Sequence, residues 1–297
     1  MKQNNPCKNP GCYFNAVSQS PFCWQHIEEK LDYLQKIAAL RKQGHDFSDG
    51  NFGRVNFHSQ TLTGGQFRGC NFTAAYLCGA NLADGDFRES KFVRANLESC
   101  NLNHALLQSA NFEGALLEKA NLESANLTEA RLKFAKLSFT NLKSADLTKA
   151  EAQQAILIGA NLEHAVLDSA NFAFANLKGA NAQNISAAFA IFGGAFLFGG
   201  NFESADLNRA NLVGTDARKV NFKNSNLYFI RPGSANFAGA NFEGANLKRA
   251  VCREADLSHA NLTNAHIEGA VFERARLTGI KPADLDFSNN NVNGAEF

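Results

Sequence analysis

From Phe47 to Phe297 the chain places an apolar residue at every fifth position through 51 consecutive places, without one insertion or deletion. Leu or Phe fills 42 of the 51, Ile267 and Val292 are near equivalents, and only Ala152, Ala182, Ala187, Ala217, Pro232, Cys252 and Pro282 depart, so the phase never slips. Two places before each of these residues Ala fills 32 of 51 positions, and one place before it Asn or Asp fills 30 of 51. A five-residue period matches neither the 3.6 of a helix nor the 2 of a strand, so the chain must turn after each short extended piece. Residues two apart on such a piece share a side, which sends the Ala and the Leu or Phe inward together. Each unit can bury that face only against its neighbours, and this predicts a solenoid rather than a globular enzyme.

Sorting the residues by a spacing of twenty shows how many units close one turn. Phe52, Phe72, Phe92 and Phe112 fall in one column and Phe47, Phe67 and Phe87 in the next. Leu77 through Leu197 make a third column, and Phe202, Phe222 and Phe242 sit together in a fourth, so like stacks on like every four units. With units such as Ala-Asn-Leu-Glu-Ser at 95–99 and Ala-Asn-Phe-Glu-Gly at 110–114, the segment from 45 to 297 resembles the pentapeptide-repeat family. The resemblance implies an all-β solenoid, a right-handed quadrilateral β-helix with the central residue and its preceding Ala inside. At a coil spacing of about 4.8 Å the rod would be on the order of 60 Å long, its interior filled by side chains. The Asn and Asp column reads as side chains that bond local backbone at the corners. An outward column from Glu123 through Lys143, Glu163, Glu203 and Lys223 to Glu243 sets opposite charges one coil apart in several places.

The segment before the repeats has its own chemistry. Cys7, Cys12, Cys23 and His26 form C-x4-C-x10-C-x2-H among turn formers, a set resembling small zinc knuckles. Three thiolates and one imidazole make a closed, tetrahedral, structural zinc site; the bland alternative is free thiols beside a surface His. So short a segment cannot bury enough apolar surface to fold unaided, so metal would supply its stability. Residues from about Trp24 to Gln43 then read as an amphipathic helix with Ile27, Leu31, Leu34, Ile37, Ala38 and Leu40 apolar and Gly44 at the stop position. A β-helix exposes unpaired backbone and core at its first coil, so residues 1–44 are expected to form a zinc and helical cap on a repeat domain spanning 45–297. The functional alternative is that the knuckle grips a nucleic acid or a protein, with Lys2, Lys8, Lys30 and Lys36 nearby.

Bulk composition narrows the picture. The net charge is +1, with 29 Lys and Arg against 28 Asp and Glu, so no global excess attracts nucleic acid or imitates it. The first residues contain no apolar stretch of signal-peptide length, which sets a cytoplasmic expectation. The longest uncharged run, Gly179 to Phe202, keeps the five-residue phase and is broken by Asn, Gln, Ser and Gly, so no membrane span is expected. Seven Cys argue against a disulfide framework, and Cys70, Cys100 and Cys252 sit at inward positions as small hydrophobes.

No catalytic arrangement is visible: His58, His104, His164, His259 and His266 are dispersed, no Gly-rich phosphate loop opens a helix, and a packed rod offers no pocket for a small-molecule substrate. Outward aromatics remain. Phe134, Phe139, Phe174, Phe189, Phe196, Phe198, Tyr228 and Phe229 stand where the repeat points to solvent, and clustered aromatics either fold flat on the corners or mark a partner surface. The leading functional expectation is a non-enzymatic scaffold presenting a protein-binding surface. A second is topoisomerase (gyrase) protection by DNA-like shape and charge, which some family members provide and which this neutral, insertion-free chain fits less well. A third is nucleic-acid binding through the zinc module. The last coils, with Pro282, Val292 and the Asn289–Asn291 run, suggest a homodimer joined there.

Overall fold

The structure is a computed structural model and describes residues 5–282 and 285–297; Lys2 lies outside them. From Asp46 onward the chain forms a right-handed β-helix of four-sided coils, with parallel bridges between residues twenty apart, as in Asn51 to Asn71 to Lys91. We number the four faces by their inward residues: face 1 carries Phe47, Phe67 and Phe87, face 2 Phe52 and Phe72, face 3 Leu77 and Leu97, and face 4 Leu82 and Leu102.

The unit Ala95–Ser99 shows why five residues suffice. Ala95 N–H closes the turn onto Phe92 O, Asn96 N–H donates down to Ala75 O, and Leu97 and Ser99 N–H donate up to Leu116 and Glu118 O. Glu98 N–H, left over, donates to Asn96 Oδ1 at 3.0 Å. Every backbone N–H of the unit is therefore paired, and the Asn or Asp column supplies the one acceptor that the backbone lacks. The residue two after the central one takes positive φ, 55° at Ser99, at corner after corner, as a type II turn requires at its third residue. On face 4 the Asn residues also bond one another, Asn101 Nδ2 to Asn81 Oδ1 at 3.2 Å and onward coil by coil to Asn261.

The core follows the columns. Rings of Phe52, Phe72, Phe92 and Phe112 stack at 5.2, 5.0 and 4.8 Å. Beside the small Ala182 and Ala187, the rings of Phe192 and Phe202 meet edge-on across the interior at 6.4 Å. Where Ser90, Thr140 or Thr215 replaces the inward Ala, its hydroxyl donates to the carbonyl of Phe67, Leu117 or Phe192, so these three core hydroxyls are satisfied. Outside, Lys143 pairs with Glu163 and Lys223 with Glu243, each at 3.0 Å. Glu123 and Glu203 instead accept from the ladder amides of Asn141 and Asn221.

The amino-terminal helix is shorter than its sequence suggests. Trp24–His26 is a single 3-10 turn, and α1 spans Lys30–Lys42. Its inward face consists of Tyr33 and Ile37 with Leu34 and Leu40 behind them, whereas Leu31 is 74 % exposed. Gly44, at φ 74°, ends it with a His45 N–H to Leu40 O bond. The open edge of face 2 is closed by the loop before α1: Ser18 N–H donates to Asn51 O at 2.7 Å, and Ser18 Oγ accepts from Asn51 N–H at 2.8 Å. Ser18 thus replaces a missing previous coil. It fits because Gly50 stands where the repeat prefers Ala, and a Cβ there would lie 2.6 Å from Ser18 Oγ. At the other end Asn290 turns its amide onto the carbonyls of Ile267 and Ala270, while Phe287 and Val292 are only partly covered.

Leu137, fully buried between Leu117 and Leu157 on face 3, provides a test of this stacking. Leu137→Ala is expected to lower stability by about 2–5 kcal/mol through the cavity it leaves. A denaturation midpoint equal to that of the parent would contradict the packing.

Candidate metal centre and interaction surface

The hairpin that pairs Pro6 with Asn15 turns through Gly11 (φ 75°) and carries Cys7 and Cys12; the 3-10 turn adds Cys23 and His26. His26 Nδ1 lies 3.4 Å from both Cys7 Sγ and Cys23 Sγ, and Cys12 Sγ lies 3.7 Å from Cys23 Sγ. All four ligand atoms fall within 4.8 Å of one another. Tetrahedral coordination at about 2.3 Å to sulfur and about 2.0 Å to nitrogen separates ligand atoms by roughly 3.5–3.8 Å, so the cluster could hold a metal ion with little adjustment. The thiols are already uneven. Burial pushes the Cys7 thiol up, but hydrogen bonds from the backbone of Cys23 and Asn9 and from the His26 and Cys23 side chains outweigh it and bring it to about 6. For Cys12 the Phe14 N–H lowers the thiol, while burial and the neighbouring Cys23 and Cys7 raise it further. One thiolate beside an imidazole, ringed by further thiols, is the donor set that a cation completes.

The metal cluster and the cap are one piece of chain. The loop between Cys12 and Cys23 contains Ala16 and Ser18, which accept from or donate to Asn51 on the first coil. Tyr33 Oη, from α1, donates to Ser18 O and Lys36 Nζ to Gln19 O, clamping the same loop from the other side.

The outward aromatics fall into two groups. At the corner between faces 2 and 3, Phe174 is 64 % exposed; with Gln154, Ile156, Asn176 and the half-exposed Phe196 of face 3 it lines a shallow depression. Phe134, two coils earlier on that corner, lines the neighbouring depression with Val93, Arg94 and Glu113. Phe139, 63 % exposed, occupies the next corner, and Phe198 lies half-buried on face 3 between Lys178 and Arg218, each 5.5 Å from its ring. The second group sits at the corner between faces 1 and 2. There Arg209 is sandwiched between Phe189 and Phe229 at 5.7 and 5.8 Å, with Tyr228 alongside. Tyr228 and Phe229 are half-buried, and Phe189 is exposed. Ile191 and Val213 on face 2, exposed and not singled out by sequence, link the groups.

Five of these rings occupy the left-handed corner position: Phe134, Phe139, Phe174, Phe189 and Phe229, all with φ between 58° and 60°. A bulky residue there is strained, by roughly 1–2 kcal/mol, where Gly fits freely. Glycines receive two of the rings on the next coil: a Cβ on Gly159 would lie 2.7 Å from Phe139, and one on Gly194 2.5 Å from Phe174. Both strain and spacing are thus arranged around side chains that bury little in the core.

A family model described as pentapeptide repeats, in eight copies, matches residues 70–108, 105–143, 145–181, 188–228 and 235–274, more than half of the chain. Among solved structures, the chain is similar to HetL, a pentapeptide repeat protein involved in heterocyst differentiation regulation from the cyanobacterium Nostoc sp. strain PCC 7120, with 25 % identity, 82 % of this chain and 96 % of that one covered, and a TM-score of 0.46. It is also similar to QnrB1, a plasmid-mediated fluoroquinolone resistance protein, with 14 % identity, 81 % and 90 % coverage and a TM-score of 0.29. No curated protein sequence matches the chain. Among the described residues no helix is long and apolar enough to cross a membrane.

The strained corners separate a structural from a functional role for the rings. Phe174→Gly is expected to leave the thermal midpoint unchanged or to raise stability by up to about 1 kcal/mol, because relief of strain offsets the lost contact and the flexibility of Gly. A clear fall in the midpoint would assign the ring to the fold.

Proposed function

The chain belongs to the pentapeptide-repeat family, and on that premise we propose that it performs no chemistry of its own but serves in the cytoplasm as a rigid rod that presents a surface to a protein partner. The observation that carries this reading is the aromatic surface between residues 134 and 229, maintained at corners where the backbone disfavours it. Exposed apolar clusters of this kind mark interaction sites, and interfaces concentrate aromatic residues at their centres. A rod held by coil-to-coil hydrogen bonds supports such a surface well, since binding need not order it first. Affinity capture from the native cell tests the reading. A partner retained by the parent chain should be lost with Phe174→Ser combined with Phe196→Ser, while a chain changed at Ser144, on the corner between faces 4 and 1, keeps it. Equal recovery with both chains would remove this surface from the function.

We further propose that Cys7, Cys12, Cys23 and His26 hold one zinc ion, which fixes the cap and leaves no coordination position for a substrate. Elemental analysis of protein purified without chelators should find one zinc per chain and none after the four ligands are changed to Ala. Chelation should loosen residues 16–42 in hydrogen exchange and spare the coils beyond about residue 100.

Exposed apolar surface at the last coil also fits a homodimer. Phe287 and Val292 keep part of their side chains in solvent, and Phe297 is 65 % exposed. Sedimentation at micromolar concentration should show a dimer that Phe297→Ser weakens; a monomer, or an unchanged dimer, would count against it.

A further inference from the structure

The formal charge of +1 conceals a separation of charge around the rod. Between residues 115 and 235, faces 2 and 3 with the corners bounding them carry ten Lys or Arg and four Asp or Glu. Face 4, its corner with face 1, and face 1 itself carry two and six over the same stretch. Pairing deepens the contrast. On the acidic side both cations are neutralised, Lys143 by Glu163 and Lys223 by Glu243. On the basic side Lys119, Lys136, Lys219 and Arg231 are exposed and form no ion pair among the described residues.

These free cations rim the apolar surface. Its densest part lies within a single coil, at Phe189–Gly200, whose outward side chains are Phe189, Ile191, Phe196 and Phe198 with only glycine between them. Lys178 lies one coil before and Arg218 one coil after, against the Phe198 ring. Arg218 is paired with Asp216, but Lys178 forms no ion pair among the described residues, and an apolar centre bordered by an excess of positive charge selects a partner that brings apolar side chains and negative charge together. Single-stranded nucleic acid also combines negative charge with stacking faces, but it gains from rings and not from aliphatic carbon. Here Ile156, Ile158, Ile191 and Val213 are interleaved with the rings, and Arg209 already occupies the space between Phe189 and Phe229. Resting on the scaffold reading above, we propose that the partner of this surface is an acidic protein segment carrying apolar anchors, laid across faces 2 and 3 with its anchors at Phe174, Phe196 and Ile191.

The test is selection of a displayed random peptide library on the full-length chain, followed by titration of the labelled enriched peptides and of a labelled single-stranded oligonucleotide. The expected result is enrichment of peptides joining Asp or Glu to Leu, Ile, Phe or Trp. Their Kd should weaken at least tenfold with Phe196→Ser, weaken with Lys136→Glu plus Lys219→Glu, and rise with added salt, while all variants keep the parent melting temperature. Enriched neutral or basic peptides that still require Phe196 would overturn the acidic partner and leave the scaffold reading standing. Binding indifferent to Phe196→Ser would overturn both. Oligonucleotide binding tighter than that of any peptide, or no enrichment at all, would also overturn the acidic-segment assignment.

Discussion

The structure depends on the completeness of hydrogen bonding within a five-residue unit. Of the donors in Ala95–Ser99, one closes the turn, one points to the coil before and two to the coil after, and the last is taken by the unit's own Asn. A coil is therefore satisfied only when a neighbour stands twenty residues away on each side. An extra residue in any side would swap inward and outward positions beyond it and break three ladders at once. This is the physical reason that the phase persists without a gap from Phe47 onward. It also explains where the pattern gives way: Pro232 has no N–H, and among the described residues the bridge that would join Arg231 to Val251 is missing on face 2. At the first coil the same rule requires a substitute neighbour, and Ser18 provides it with one donor and one acceptor.

The corners are where this economy leaves room for function. Each needs a residue in the left-handed region, and Gly or a small polar residue there costs little. The inward positions cannot vary without changing the core, whereas the Asn position is exchanged for an apolar residue at Ile156, Ile191 and Phe196. The two residues of each turn are the freest positions of the rod, and in most coils they hold Ser, Lys, Glu or Gly. Between 134 and 229 they hold Phe five times at the strained place. A ring at this place leans onto the next coil, where Gly makes room for Phe139 and Phe174 and the Arg209 guanidinium covers Phe189. This part of the surface is written by pairs of residues twenty apart.

The sequence revealed what is periodic and missed what is singular. The stacked column from Phe52 to Phe112 and the convergence of Cys7, Cys12, Cys23 and His26 were legible because each follows from spacing alone. The cap was legible only as a need. That Ser18 would meet Asn51 depends on the path of a short loop with no period, and its one trace was Gly50 standing in the Ala column. The helix pattern misled at Leu31, because a 3-10 turn ending at an extended Ile27, followed by a bend at Glu28, resets the start of α1 and brings Tyr33 inward instead. Among the aromatics, the phase placed every ring outside, and the trace of the sandwich was also there: Arg209 shares the twenty-residue column of Phe189 and Phe229 and stands between them.

Charge makes the same point in its strongest form. A whole-chain sum near zero argued against partners of either sign, which is sound for a globule whose residues face all directions irregularly. In a rod with four fixed faces, position modulo twenty decides which way each charge points, so equal totals can be sorted to opposite sides. Here Glu123, Glu163 and Glu203 share one column of face 4, while Lys136, Lys178 and Arg218 lie on face 3. An interacting partner covers one side at a time and feels only the charges within about 8 Å at physiological salt. The field that matters for recognition is therefore the field of a face, and the neutral total describes a property that no partner of such a rod encounters.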